Sequence, residues 1–231
     1  MKKPQFVQGG IYHIYNRGVE KRKVFLDKTD HYRFIRDLYE LNDEEPTYNS
    51  VYYSPIKFVE VKPRQYKGRK PRKLLVDILA FVLMPNHFHL LLRQRKENGI
   101  IRFMQKLGTG YTMYFNKRYE RVGGLFQGSY KAVAATEEAH FTYLPLYIHL
   151  NPIKIYRGST STRGMINFLR NYKWSSFPDY IGKRNFPSVT SREFFLEFFG
   201  GEKNVFADTH DFIKNKKEFS DQAQEVIIDD D

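Results

Sequence analysis

The sequence predicts an α+β fold in which helices pack on one face of a mainly antiparallel sheet. Segments with strand-like apolar runs or alternation cover residues 11–16, 51–61, 74–93 and 125–134. Segments with apolar side chains at every third or fourth position cover residues 27–41, 100–119 and 136–150. The resulting order of strands and helices is close to a ferredoxin-like plan, followed by a C-terminal extension.

Length and composition favour one main domain in a reducing compartment. The 231 residues include no cysteine, which excludes disulfides and thiolate metal sites. No apolar run has the length of a signal peptide core or a membrane span. We therefore expect a cytoplasmic protein without a membrane partner, in which any metal is held by histidine, carboxylate or amide groups.

The charge balance predicts a polyanionic partner. The chain has 38 Lys and Arg against 26 Asp and Glu, a formal net charge of +12, and aromatic side chains that could stack on unpaired bases. A basic protein kept dispersed by its lysines is the alternative. The candidate DNA-binding residues are Arg17, Lys62, Arg64, Lys67, Arg69, Lys70, Arg72, Lys73, Lys117, Arg118, Arg121, Gln127 and Lys131.

A hairpin with two histidines is the most informative stretch. Two apolar runs meet at Met84-Pro85-Asn86, and His87 and His89 open the second run. Side chains two positions apart on a strand share a face, so these two imidazoles could hold one divalent ion. A polar strand face is the alternative. His13, on the first strand, is expected to pack or hydrogen-bond within the sheet, with a place beside the site as the alternative.

The third helix carries a tyrosine and an amide on one face. It begins near Thr136 and stops at Asn151-Pro152. Tyr147 and Asn151 are four residues apart, hence about 40° apart around the helix axis, whereas His149 points away from that face. Pro145 predicts a kink or a fresh start just before Tyr147, because proline lacks a backbone donor.

These residues together suggest phosphodiester chemistry. A sheet and a helix can bring His87, His89, Tyr147 and Asn151 around one point. An ion on the two imidazoles and the amide oxygen would withdraw charge from a phosphodiester while the tyrosine attacks phosphorus. The phosphotyrosine ester would keep the bond energy for rejoining. Tyr111, Tyr114, Tyr119 and Tyr143 are competing tyrosines that core packing or base stacking explains.

The same motifs resemble a known family. His87-Phe88-His89 after Met84-Pro85-Asn86 looks like the HUH motif of single-tyrosine HUH transposases, and residues 147–154 look like their tyrosine-helix motif in its REP-associated version. Segments 12–18 and 125–128 are also similar to that group, and the resemblance spans residues 9–158.

The resemblance implies a transposase that cleaves and rejoins hairpin-flanked single-stranded DNA. Tyr147 would form the 5′-phosphotyrosine, and His87, His89 and Asn151 would bind Mg²⁺ or Mn²⁺. We expect residues 1–158 to form the catalytic domain, with a basic insertion at 62–73, and residues 159–231 a partly helical extension with a frayed acidic tail. The protein would act as a monomer or a homodimer. A metal-dependent nuclease using water and a non-catalytic nucleic-acid-binding protein are the alternatives.

Overall fold

A four-stranded antiparallel sheet forms the centre of the computed structural model, which describes residues 3–45, 72–136 and 138–215. The strands are β1 (Ile11–Arg17), β2 (Val76–Met84), β3 (His87–Gln94) and β4 (Lys131–Ala134), in the order β2-β3-β1-β4. The predicted α+β class and antiparallel sheet are confirmed. The predicted strand over 51–61 and the acidic tail lie outside the described residues. Of the strand predicted over 125–134, only the last four residues join the sheet.

Three helices accompany the sheet, and further helices follow them in the C-terminal segment. The first three helices are α1 (Lys28–Glu40), α2 (Gly99–Arg118) and α3 (Glu138–Leu150). The later helices are α4 (Thr162–Asn171), α5 (Phe177–Tyr180), α6 (Glu193–Phe199) and α7 (Glu202–Lys214), and two 3₁₀ turns cover Val19–Lys21 and Asn151–Ile155. The side chain of Asp27 caps α1 by accepting from the backbone N–H groups of Thr29 and Asp30.

The helices lie on both faces of the sheet, which corrects the expectation of one covered face. Phe81 and Leu90 belong to a core with α1 and α2, whereas Val82 and Leu91 belong to a second core with α3 and the C-terminal helices. The reason lies in the composition of β2. Every residue of β2 is buried. The strand carries apolar side chains on both of its faces, so each face packs against a covering layer.

The C-terminal segment covers the free edge of β2. The backbone N–H of Leu83 donates to the carbonyl of Trp174 (2.8 Å), and the N–H of Ser176 donates to the carbonyl of Phe81 (3.0 Å). An uncovered edge strand would invite pairing with another chain. The described part of residues 159–231 therefore shares a core with the sheet, and the domain boundary at residue 158 stays a prediction.

Helix α3 runs through Pro145 as one element rather than starting afresh. It is apolar on nearly all sides, and Leu144, Leu146 and Ile148 are buried between the sheet and the C-terminal helices. This burial offsets the roughly 3 kcal/mol that an internal proline can cost. The helical conformation does not end at Leu150 but continues as the tighter 3₁₀ turn over Asn151–Ile155. In the part of the chain that the structure describes, every helix is too short or too polar to cross a membrane.

Candidate active site

The register of β1 against β3 gathers the site residues on one face of the sheet. Tyr15 lies opposite His89, and Arg17 lies opposite His87. Paired residues of antiparallel strands project to the same side, and side chains alternate along each strand. His13, Tyr15 and Arg17 therefore share a face with both histidines of the predicted metal site.

His13 is a direct neighbour of His89. Its Nε2 atom lies 2.9 Å from Nδ1 of His89, and the two rings stack with their centroids 5.1 Å apart. Both side chains are almost completely buried, with 2% and 0% of their surface exposed. The ring of Tyr15 lies beside both histidines, with its centroid 5.2 Å from that of His13 and 5.8 Å from that of His89. His13 therefore hydrogen-bonds within the sheet to one of the two predicted metal ligands.

Helix α3 places Tyr147 over these rings. The centroid of its ring is 5.8 Å from that of His89 and 5.9 Å from that of His13. Leu144 and Ile148 hold the helix in the second core, on the face that carries the histidines. Tyr143, one turn earlier, stacks on Tyr147 with 5.9 Å between centroids. The structure thus brings the predicted tyrosine to the predicted histidines within one chain.

His87 lies beside His89, and Asn151 is bonded to the helix that carries Tyr147. The ring of His87 is 5.0 Å from that of His89, centroid to centroid, and its Nδ1 atom is 2.6 Å from Oδ1 of Asn86. Asn151 is 2% exposed and its Nδ2 atom donates to the carbonyl of Tyr147 (3.0 Å). This bond ties Asn151 to the same turn of chain as Tyr147.

Two lysines lie beside the aromatic rings of the site. The Nζ atom of Lys154 is 5.7 Å from the centroid of Tyr147, and that of Lys131 is 5.8 Å from the centroid of Tyr15. Arg17 is the third cation on this face, opposite His87 in the ladder. These positive charges suit a site that receives a phosphodiester.

His149 faces away from the tyrosine, as the helical spacing predicts. Its Nε2 atom lies 2.8 Å from Oγ of Ser176, and its ring packs against Phe177 and Tyr180. Burial lowers the pKa of His149 to about 3, so the ring stays neutral. His149 joins the back of α3 to the C-terminal segment.

The predicted DNA-binding residues are distributed over several surfaces. Lys117, Arg118 and Arg121 are at the end of α2, behind the sheet as seen from Tyr147. Arg118 is 2.7 Å from the buried Asp30 and Arg121 donates to Asn116, so both make internal contacts. Gln127 is exposed, and its backbone N–H donates to the carbonyl of Arg17 (2.8 Å).

The basic insertion is described only at its end. Arg72 donates to the carbonyl of Tyr39 and lies over that ring, 3.6 Å from its centroid, and the exposed Lys73 is 3.8 Å from Glu45. The remaining basic residues of the insertion lie outside the described part of the chain: Lys62, Arg64, Lys67, Arg69 and Lys70.

Comparison with known proteins finds one family model that part of this chain matches. Residues 57–151 match the family model described as "Transposase IS200 like". The match contains both histidines and Tyr147, and it ends at Asn151. Over this segment the chain is similar to IS200-like transposases. No curated protein matches this sequence.

One solved structure supports the fold of this chain. It is a REP-associated tyrosine transposase bound to a REP hairpin, and the superposition covers 83% of this chain and 90% of that chain with a TM-score of 0.51. The two sequences are 13% identical, so the likeness concerns the fold.

The residues of the candidate site fit a divalent ion. Among the described residues, no group of three or more His, Asp or Glu side chains is arranged around a metal position. The predicted ligands, however, are two histidines and an amide. The Oδ1 atom of Asn151 is buried and accepts no hydrogen bond, which is costly unless another group satisfies it. A hard cation would satisfy an amide oxygen in this way.

Sequence reasoning missed three neighbours of the candidate site. Lys154 closes the motif that begins at Tyr147, and its distance of seven residues, about two helical turns, could have indicated the shared face. Tyr15 is two positions after His13 and follows from strand alternation. Asn86 directly precedes His87, but its side-chain contact depends on the shape of the turn.

Proposed function

We propose that this protein is a DNA strand transferase that cleaves and rejoins single-stranded DNA through Tyr147. The position of the Tyr147 ring, 5.8 Å from His89 and 5.9 Å from His13 in the same chain, carries the proposal. A tyrosine with only a packing role in the second core would not need two buried imidazoles beside its ring. The match of residues 57–151 to a transposase family model supports strand transfer as the function of this arrangement.

The reaction is a pair of ester exchanges. The phenolic oxygen of Tyr147 attacks phosphorus, the bond from phosphorus to the 3′ oxygen breaks, and that oxygen takes up a proton as the free 3′ hydroxyl. The 5′ side of the DNA stays on the tyrosine as a phosphodiester. A 3′ hydroxyl from another strand reverses the step and restores the tyrosine, so no external energy source is needed.

His87, His89 and Asn151 would hold Mg²⁺ or Mn²⁺ in this reaction. The ion, when bound, would withdraw negative charge from the phosphodiester. The protein would contribute its own charges: Lys154, beside Tyr147, and Arg17, paired with His87 in the sheet, would bind phosphate oxygens. The stack of Tyr143 on Tyr147 orients the nucleophile.

Single-stranded DNA next to an imperfect hairpin is the substrate that we propose. The similar solved structure is bound to a REP hairpin, which supports this choice of partner. The net charge of +12 favours binding of the phosphate backbone, with the basic residues around 62–73 as the proposed grip on the hairpin. Because Tyr147, His87 and His89 come from one chain, a monomer could perform the chemistry, and a homodimer is not required.

Denaturing gels with labelled DNA test the proposed function. The protein is incubated with Mn²⁺ and single-stranded DNA carrying the hairpins that flank its gene. We expect a covalent protein–DNA species that is absent with Tyr147→Phe and with His87→Ala. Tyr143→Phe is the matched control, because it removes a neighbouring phenol and should retain the covalent species.

The other outcomes separate the alternatives. Cleavage without a covalent species, persisting in Tyr147→Phe, would replace strand transfer by a nuclease that uses water. Binding of the hairpin without cleavage would favour a DNA-binding protein. A covalent species that persists in Tyr147→Phe would assign the nucleophile to another tyrosine.

A further inference from the structure

Both histidines of the site use the same ring nitrogen for a contact within the protein. Nδ1 of His87 lies 2.6 Å from Oδ1 of Asn86, and Nδ1 of His89 lies 2.9 Å from Nε2 of His13. A neutral imidazole has one N–H donor and one acceptor, so these contacts bear on which nitrogen can bind a metal.

The contact of His87 has a defined direction. Nδ2 of Asn86 donates to the carbonyl of Lys21 (3.3 Å), which assigns Oδ1 as the amide atom that faces His87. An amide oxygen only accepts, so Nδ1 of His87 carries the proton and donates. Nε2 of His87 is then the nitrogen whose lone pair is directed to a metal.

The contact of His89 could run in either direction, and metal binding selects one of them. If His13 donated, His89 would accept at Nδ1 and carry its own proton on Nε2, which would block Nε2 as a ligand. If His89 donates from Nδ1, its Nε2 holds a lone pair and His13 accepts at Nε2. A metal on His89 therefore requires His13 to carry its proton on Nδ1.

We propose that His13 and Asn86 are positioning residues that hold both site histidines in the Nδ1–H form, with Nε2 directed to the metal. This inference rests on the proposed metal site. It adds hydrogen-bond partners that orient the proposed ligands, as metal-bound histidines generally require.

The surroundings of both residues suit this role. His13 comes from β1, is 2% exposed and contacts the rings of Tyr15, His89 and Tyr147, so its ring has little freedom to turn. The turn of Asn86 is tied down, because its carbonyl accepts from Gly18 (2.8 Å) in addition to the bond from its side chain to Lys21. Two separate elements thus orient two adjacent rings.

The affinity for Mn²⁺, measured by electron paramagnetic resonance on the full chain without DNA, tests the role of His13. We expect His13→Leu to raise the Kd for Mn²⁺ by roughly 10 to 100-fold, because the acceptor for His89 is lost. His13→Gln should stay within about threefold of the wild type, since its side-chain oxygen can accept where Nε2 accepted. The exposed His210→Gln is the matched control.

Asn86 is tested in the same way. Asn86→Ala should raise the Kd for Mn²⁺ by a similar factor, whereas Asn86→Asp keeps an oxygen acceptor for His87 and should retain tight binding. Thermal melting of each variant confirms that it is folded. Unchanged affinity in both His13→Leu and Asn86→Ala would overturn the inference.

Nitrogen-15 spectra of the Mg²⁺-loaded wild type give a test that does not depend on any variant. The ring nitrogens of His87 and His89 should show the proton on Nδ1, and a proton on Nε2 of either ring would overturn the inference. A wild-type protein that binds no Mn²⁺ at His87 would overturn the proposed metal site as well. Metal binding and a covalent DNA species that both survive His13→Leu and Asn86→Ala would overturn only the inference.

Discussion

The two faces of the sheet use buried polar groups in different ways. On the face of α1 and α2, the buried Asp30 accepts from the backbone of Leu26 (2.8 Å), from Tyr114 (2.9 Å) and Tyr119 (2.8 Å), and from Arg118 (2.7 Å). These contacts satisfy one carboxylate from several elements. The network joins α1 to α2 and has no part in the proposed chemistry.

On the face of α3, the polar groups form a site. His13 and His89 are as deeply buried as Asp30, yet they lie beside a tyrosine, and Asn151 has a buried oxygen that accepts no hydrogen bond. Adjacent residues of β3 belong to the two faces, since Phe88 packs with α1 while His87 and His89 face α3. Burial of polar atoms therefore marks a functional site only where their bonding is incomplete without a ligand.

Loss of the Asp30 network should have the largest effect on stability. Asp30→Ala leaves the two phenols and Arg118 without their shared acceptor, so we expect the free energy of unfolding to fall by about 3 kcal/mol. Urea denaturation measures the change, and Asp211→Ala, whose side chain is 71% exposed, is the matched control. At temperatures where the variant is folded, its affinity for Mn²⁺ should equal that of the wild type. A weaker metal site in Asp30→Ala would contradict the separation of the two faces.

Substitution of Asn151 should affect the affinity for metal more than the stability of the fold. Asn151→Ala removes the proposed oxygen ligand, and we expect the Kd for Mn²⁺ to rise at least tenfold, about 1.4 kcal/mol of binding free energy. The lost bond to the carbonyl of Tyr147 should lower the free energy of unfolding by only about 1 kcal/mol. Asn151→Asp restores an oxygen ligand and should recover metal binding. Unaltered Mn²⁺ affinity in Asn151→Ala would remove Asn151 from the ligand set.

The buried His149 should give the protein a dependence of stability on acid pH. Burial lowers its pKa from 6.5 to about 3, so below pH 6.5 the unfolded chain binds a proton that the folded state excludes. This contribution lowers the free energy of unfolding as the pH falls from 6.5 towards 3, by at most about 1.4 kcal/mol per pH unit. His149→Gln should have a shallower slope in urea denaturation between pH 4 and 6, whereas His210→Gln should keep the wild-type slope. Equal slopes in His149→Gln and the wild type would show that the ring takes up protons in the folded state.

The motifs of the site could be predicted from the sequence because they are local. The spacing of His87 and His89 on one strand determines their shared face, and the four residues from Tyr147 to Asn151 determine theirs on a helix. The periodicities of α1, α2 and the hairpin likewise depend on neighbouring residues. These elements agree with the structure to within one or two residues.

The tertiary structure alone decided how the elements meet. The register of β1 against β3 and the docking of α3 bring His13 to His89 and Tyr147 to both, although these residues are distant in sequence. Helices on the second face of the sheet were not predicted, because the apolar pattern of a strand does not specify whether one or both faces will be covered. Sequence periodicity specifies which side of an element is apolar, whereas packing against distant segments decides which polar groups on that side become partners.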